Sequence, residues 1–244
     1  MKPVRIILRR ELASYFATPI AYVVLVIFLF FMNMFALSFG SLFERGQADL
    51  KPFFSFLPWL YLFLIPAISM RLWAEERRSG SIELLLTQPV TLWQAVLGKF
   101  LAAWIFVGIA LALTFPIWIT VNILGDPDNG VIVAAYLGSF FIAGGFLGVG
   151  SFTSAITKNQ LIAFLVALLI CFLLLVAGHP AVTEWLTTWA PHWLIDGVTS
   201  LSFLAHFENI LKGVLDLRDV LYYALVATFF LLASTVVLEG RKSK

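Results

Sequence analysis

The chain has 244 residues, 61% of them hydrophobic and 12% charged, with a net charge of +2 and a mean hydropathy of +0.97. Soluble globular chains carry about 25% charged residues, so this composition excludes the soluble class and places the chain among integral membrane proteins. The length suits about five to seven spans and leaves no room for a large soluble domain.

Residues 2–17 read as an amphipathic helix. Lys2, Arg5 and Arg9 recur on one side, with Arg10 and Glu11 beside them, and Val4, Leu8, Leu12 and Tyr15 on another. Basic groups opposite bulky apolar ones suit a helix lying at an anionic membrane surface. A charged flank of the first span is the simpler alternative, and both put the N-terminus in the cytoplasm. The following apolar run lacks a small-residue cleavage site, so a cleavable signal is not expected.

Six spans are expected in an all-α fold. The first runs from about Pro19 to Phe39, followed by a polar loop from Ser41 to Lys51. The second, about Pro52 to Met70, contains Pro58 and Pro66, each of which removes a backbone donor, so a kink or local unwinding is expected. Then comes the one long, densely charged stretch between apolar blocks, Met70 to Gly98, with Arg71, Glu75, Glu76, Arg77 and Arg78 in its first turns. Such a segment cannot sit in lipid and must lie at a membrane face.

The third span, about Trp93 to Val121, is longer than the roughly 20 residues a bilayer needs, so it should tilt or project from the membrane. Gly125 to Gly130 is a turn. The fourth span, about Val131 to Thr153, is rich in glycine, and Gly144 and Gly148 form a G-x-x-x-G pair. Lys158 to Gln160 is a short polar turn before the fifth span, about Leu161 to Ala177. From His179 to Asp219 no clean span is legible. Trp185, Trp189 and Trp193 suit a water–lipid boundary, and two short interfacial or re-entrant helices are expected there. The last span is about Val220 to Leu238.

Charge tests this topology. With six spans, one face receives Lys2, Arg5, Arg9, Arg10, Arg71, Arg77, Arg78, Lys99, Lys158, Arg241, Lys242 and Lys244, which is 12 of the 16 basic residues. Basic residues favour the cytoplasmic side, so both termini and the Met70–Gly98 stretch belong there. A seventh span through Trp193–Phe207 would move the basic tail to the outer face.

Motifs for chemistry are missing. There is no G-x-x-x-x-G-K-[ST] phosphate loop, so no nucleotide binds by that device. His179, His192 and His206 have no ligand spacing for a metal. Ser151 near glycines with a distant His179 does not make a protease site, and no basic groove or aromatic array suits nucleic acid. Cys171 stands alone in an apolar run and reads as a buried inert thiol. Asp196 and His206, the candidates for an ion relay, fall in the outer segment rather than within a span. If the chain moves something, energy enters through a partner.

The stretch Glu75-Glu76-Arg77-Arg78-Ser79-Gly80-Ser81-Ile82-Glu83-Leu84-Leu85-Leu86-Thr87-Gln88-Pro89-Val90 resembles the pattern E-x-x-x-G-[ST]-[IL]-E-x-L-L-x-x-P-[VI] of the membrane subunits of type-2 ABC exporters, in particular the GldF/NosY-like permease group. Glu76, Gly80, Ser81, Glu83, Leu85 and Pro89 occupy that pattern, and the likeness in topology extends over the whole chain. The resemblance implies one permease domain, 1–244, with an interfacial helix over 1–17, a cytoplasmic coupling segment over 71–92 and an outer-face segment over 179–218. It implies a coupling helix at Ser81–Gln88 that docks in a cleft of a separate ATPase, with the Lys2–Tyr15 helix packed beside it.

The residue types suit that role. Gly80 can break the incoming helix, Ser79 or Ser81 can cap the next, and Glu83 suits its positive end. Leu84, Leu85 and Leu86 offer apolar contact, and Pro89 ends the element. Glu75 to Arg78 can pair with the partner or among themselves.

The implied assembly has two ATPase copies and a second permease, identical or paralogous, meeting along spans one and five, with accessory proteins in the membrane or outside it. ATP and magnesium would bind only the ATPase; the chain itself has no catalytic role and no cofactor. The implied location is a bacterial inner membrane. The alternative is a membrane scaffold that recruits a cytoplasmic partner without transport.

Overall fold

A computed structural model describes residues 2–39, 49–80 and 90–240, and every described element is helical. In chain order these are α1 (Lys2–Ala17), α2 (Pro19–Met34, extended by a π-helical turn over Phe35–Phe39), α3 (Lys51–Ser69), α4 (Arg71–Ser79), α5 (Leu92–Ala112), α6 (Phe115–Leu124), α7 (Asn129–Ile156), α8 (Gln160–Val176), α9 (Pro180–Thr187), α10 (His192–Ser200), α11 (Phe203–Ile210) and α12 (Leu217–Glu239). Five stretches are long and apolar enough to cross a membrane. They rise to six if α8 and α9, bent 73° apart, count as one broken span. The chain is thus an all-α polytopic membrane protein.

The core is built around α7. Its 28 residues make it roughly 42 Å long, and it packs against α3, α4, α5, α8, α11 and α12. Small residues allow this. A Cβ at Gly148 would lie 2.8 Å from the Ala227 backbone of α12, and one at Gly150 would collide with Ser69 of α3. Gly144 instead faces the Trp104 ring of α5. The two glycines of the G-x-x-x-G pair therefore serve two different neighbours rather than one seam.

Three expectations change. Pro58 and Pro66 lie inside α3, which runs through both without interruption, and the chain turns only at Met70. Both prolines are buried, and the helix continues past the donors they lack without unwinding. The third span is one apolar stretch, Leu92–Leu124, but it is built of α5 and α6, which meet at a turn at Leu113–Thr114. Pro116, which has no N–H to give, falls in the first turn of α6. The Thr114 hydroxyl donates to Leu111 O at 2.6 Å and sits 2.9 Å from the Tyr136 hydroxyl, filling the break.

The outer segment holds three short helices, not two. Pro180 opens α9, Pro191 precedes α10, and the Ser202 hydroxyl caps α11 by accepting from Ala205 N. Each stop is a local backbone event that interrupts an otherwise apolar run.

Helix α1 packs along α5. Ile7 is buried against Gly98, where a Cβ would come within 2.8 Å of Ile7 Cγ2, and Tyr15 stacks on Phe106 at 5.1 Å. Arg5 and Arg9 stay exposed, while Val4, Leu8, Leu12 and Tyr15 are half-buried.

Candidate functional site

The charged stretch after Met70 does not form a solvated surface. Helix α4 buries Leu72, Trp73, Ala74 and Arg77 against the C-terminal end of α7. Its first turn has no cap of its own, and a helix start leaves backbone N–H groups without intrahelical partners. Ser154 of α7 supplies the cap from another part of the chain. Its hydroxyl oxygen accepts from Trp73 N and Ala74 N, both at 3.0 Å, and its proton goes to Met70 O at 2.9 Å. The Trp73 indole N–H donates to the Ser151 hydroxyl at 3.3 Å. The Arg77 guanidinium donates to Ala155 O at 2.6 Å. Arg77 thus meets a carbonyl in the last turn of α7, where the helix dipole is negative.

Beside this seam lies Lys99, about two turns into α5 and only 3% exposed. Its ammonium is 2.8 Å from Glu76 Oε1 of α4 and 3.3 Å from Glu11 Oε1 of α1, and it stands 5.3 Å from the centre of the Trp73 ring. One cation thus joins three helices. Arg10 adds a 2.8 Å contact to the same Glu11 oxygen. Burial works to raise the Glu11 carboxyl pKa, but Lys99 and Arg10 outweigh it and hold it below 4.5. A crevice of about 80 Å³ between α1 and α4 is lined by Glu11, Tyr15, Arg71 and Glu75.

The residues singled out by sequence divide three ways. Glu76 and Arg77 enter the buried network, with Glu11. Glu75 pairs at the surface with Arg71 at 2.9 Å, and Arg5, Arg9 and Arg78 are exposed. Gly80 ends α4 in the left-handed conformation, φ +76°. The Ser79 hydroxyl donates to Glu75 O at 3.0 Å. Ser81, Glu83, Leu84, Leu85 and Pro89 lie outside the described residues. After them, α5 opens with a capping box: Gln94 N donates to the Thr91 hydroxyl and Thr91 N to Gln94 Oε1, each 3.3 Å.

Sequence reasoning missed Lys99 as a hub and Trp73, Ser151 and Ser154 as its frame. One signal was available, since Lys99 is the only charge in α5. Among the described residues, fully buried charged side chains are confined to Arg77 and Lys99 here and Asp219 at the start of α12. No group of three or more described His, Cys, Asp or Glu side chains is placed to hold a metal.

The arrangement is an ion-paired joint that ties α4 to α1, α5 and α7. A family described as "ABC-2 family transporter protein" matches residues 47–239. Relatives annotated by name as a probable multidrug ABC transporter permease, YbhS, from Escherichia coli K12 and from Escherichia coli O157:H7 are each 29% identical over 170 residues. The aligned part is 68% of this chain, and the chain spans less than half of each relative's length, 43%.

Proposed function

The chain belongs to the ABC-2 family of transporter proteins, as a membrane permease subunit, and we propose that it converts ATP hydrolysis by a separate ATPase subunit into movement of its spans, and so into export or force transmission. The observation that carries this reading is the Lys99 joint. A push delivered to the segment around Ser81–Gln88 reaches α4 directly, and α4 cannot shift without moving Glu76. Lys99 then passes the displacement to α5, and Glu11 passes it to α1. Ser154 and Arg77 carry it to α7. Buried ion pairs suit this work because separating them exposes an uncompensated charge, so the three helices move as one body.

In this reading Glu75, Glu76, Arg77, Arg78, Gly80, Ser81, Glu83, Leu84, Leu85 and Pro89 form the coupling site, with Arg5, Arg9, Arg10 and Glu11 on the interfacial helix beside the ATPase. The pattern of Glu76, Gly80, Ser81, Glu83, Leu85 and Pro89 supports a place in the GldF/NosY-like group. The complex would hold two ATPase subunits and a second permease in a bacterial inner membrane, with both termini cytoplasmic. The scarcity of charge within the spans supports an energy source outside the chain, since ion-coupled carriers place titratable groups there.

Copurification with an ATPase tests the reading. Gly80→Pro and Glu83→Lys variants that still insert in the membrane are expected to lower ATP turnover by the complex about tenfold or more. Turnover equal to wild type in both would leave a recruiting scaffold as the better description.

A further inference from the structure

The end of α7 remote from Lys99 borders a second polar centre. Val131 packs at Gly213 and Gly138 at Ile210, whereas Ser154 meets Trp73. Val131 and Ser154 are about 35 Å apart along the helix axis, so this centre and the Lys99 joint lie at opposite ends of the molecule. Here α10, α11 and the start of α12 surround a cavity of about 520 Å³, within the roughly 300–1,000 Å³ range of small-ligand sites.

Its floor is fixed. His206 Nδ1 lies 2.5 Å from Asp219 Oδ1, and His206 Nε2 lies 3.1 Å from Ser200 O. The Tyr222 hydroxyl donates to Leu201 O at 2.5 Å and the Tyr223 hydroxyl to Phe203 O at 2.7 Å. These bonds bind α12 to the α10–α11 connection, so the walls are set before any ligand arrives. Two lining charges are not used by the fold: the Asp196 carboxylate and the Arg218 guanidinium have no side-chain partner among the described residues. Lys212 is tethered to Asn209 at 3.2 Å, and Asp216 is occupied capping α12. The cavity therefore offers one free anion and one free cation, with Arg218 in the first turn of α12, whose positive end favours a phosphate.

We propose that this cavity binds a zwitterion carrying a phosphate and a primary amine, the chemistry of a phosphatidylethanolamine headgroup, with Arg218 and Lys212 facing the phosphate and Asp196 the ammonium. Trp193 lies in the first turn of the same helix as Asp196, Trp185 stands on the neighbouring α9, and Trp189 follows it. All three are 60–72% exposed, and exposed tryptophans mark the depth of lipid headgroups. An opposite-charge pair discriminates against a headgroup that lacks the amine, because Asp196 then faces the phosphate with nothing between them.

This binding requires no ATPase, so it stands or fails separately from the coupling reading. The test is native mass spectrometry of the purified full chain with phosphatidylethanolamine, phosphatidylglycerol and free phosphoethanolamine. Wild type is expected to retain phosphatidylethanolamine about tenfold better than phosphatidylglycerol. Arg218→Gln is expected to weaken that retention about tenfold, and Asp196→Asn to abolish the preference. Both side chains are exposed, and unchanged melting temperatures verify that the variants fold. Competition by free phosphoethanolamine at equal concentration would support the same chemistry with a soluble source; failure to compete would support the lipid. Equal wild-type retention of the two lipids, or wild-type behaviour in both variants, overturns the proposal.

Discussion

Lys99 Nζ lies 2.8 Å from Glu76 Oε1, with the lysine side chain 4% exposed and the glutamate 20% exposed. The pair closes a contact between α4 and α5 across the segment 81–89. Its geometry makes the charged stretch after Met70 part of the packed body rather than an appendage to it.

Removing one member of such a pair leaves a buried charge without compensation, which costs about 3–5 kcal/mol in buried settings. Lys99→Met is expected to approach that range, because it removes the ammonium that both Glu76 and Glu11 contact. Glu76→Gln should cost less, since Lys99 keeps Glu11. A thermal-denaturation double-mutant cycle should give a coupling of about 1–3 kcal/mol between the two sites. Additive effects would show that the contact carries no energy.

Ser154→Ala removes the acceptor that Trp73 N and Ala74 N share and the donor to Met70 O. Leaving buried backbone groups unsatisfied costs about 1–3 kcal/mol. Ser154→Thr retains the hydroxyl and should recover most of the loss if its extra methyl is accommodated. Amide exchange at Trp73 and Ala74 reports the effect directly, with faster exchange expected in the alanine variant.

These two sites show what the sequence could and could not reveal. The apolar runs and the G-D-P-D-N-G turn were legible because hydropathy and turn residues are local properties. The capping box of Thr91 and Gln94 has the local T-x-x-Q form as well, but the sequence reading passed over it. Ser154 capping Trp73 was not legible, since it links residues 81 apart through tertiary packing alone. Neither was the partition of Glu75 and Glu76: adjacent in sequence, they point to Arg71 at the surface and to Lys99 in the interior. The break at Thr114 was signalled by Pro116, but a proline late in an apolar run reads equally well as a kink.

Glu11 gives a pH dependence with a defined sign. Its folded carboxyl pKa is depressed, with burial opposing the shift and Lys99 and Arg10 overcoming it. The group therefore contributes stability that is fully present above its unfolded value near 4.5 and is lost as pH falls through the lower folded value. Melting temperature should fall below that pH in wild type. In Glu11→Gln the fall should be shallower, by the share this carboxylate supplies. Parallel profiles would place its pairing outside the stability of the fold.

Glycine contacts along α7 predict a graded series. Gly150→Ala brings a Cβ into collision with Ser69 Oγ and to 2.6 Å from Ser69 Cβ, and overpacking of this kind costs about 1–3 kcal/mol or more. Ser69→Gly should rescue it. Gly148→Ala meets Ala227 backbone at 2.8 Å, which cannot rotate away, so no single side-chain change should restore it. Gly197→Ala has nothing within 4 Å and should be neutral or slightly stabilising, by about 0.5–1 kcal/mol at most. Melting temperatures of the purified variants rank the three sites.

The most direct measurement is hydrogen–deuterium exchange of the permease bound to its ATPase, with and without a non-hydrolysable ATP analogue, in wild type and Lys99→Met. If Lys99 transmits movement, the amides of Arg71–Ser79 and Leu92–Lys99 change protection together in wild type, and in Lys99→Met the change at Leu92–Lys99 disappears while ATPase binding persists. An undiminished nucleotide response at Leu92–Lys99 in Lys99→Met would contradict the account.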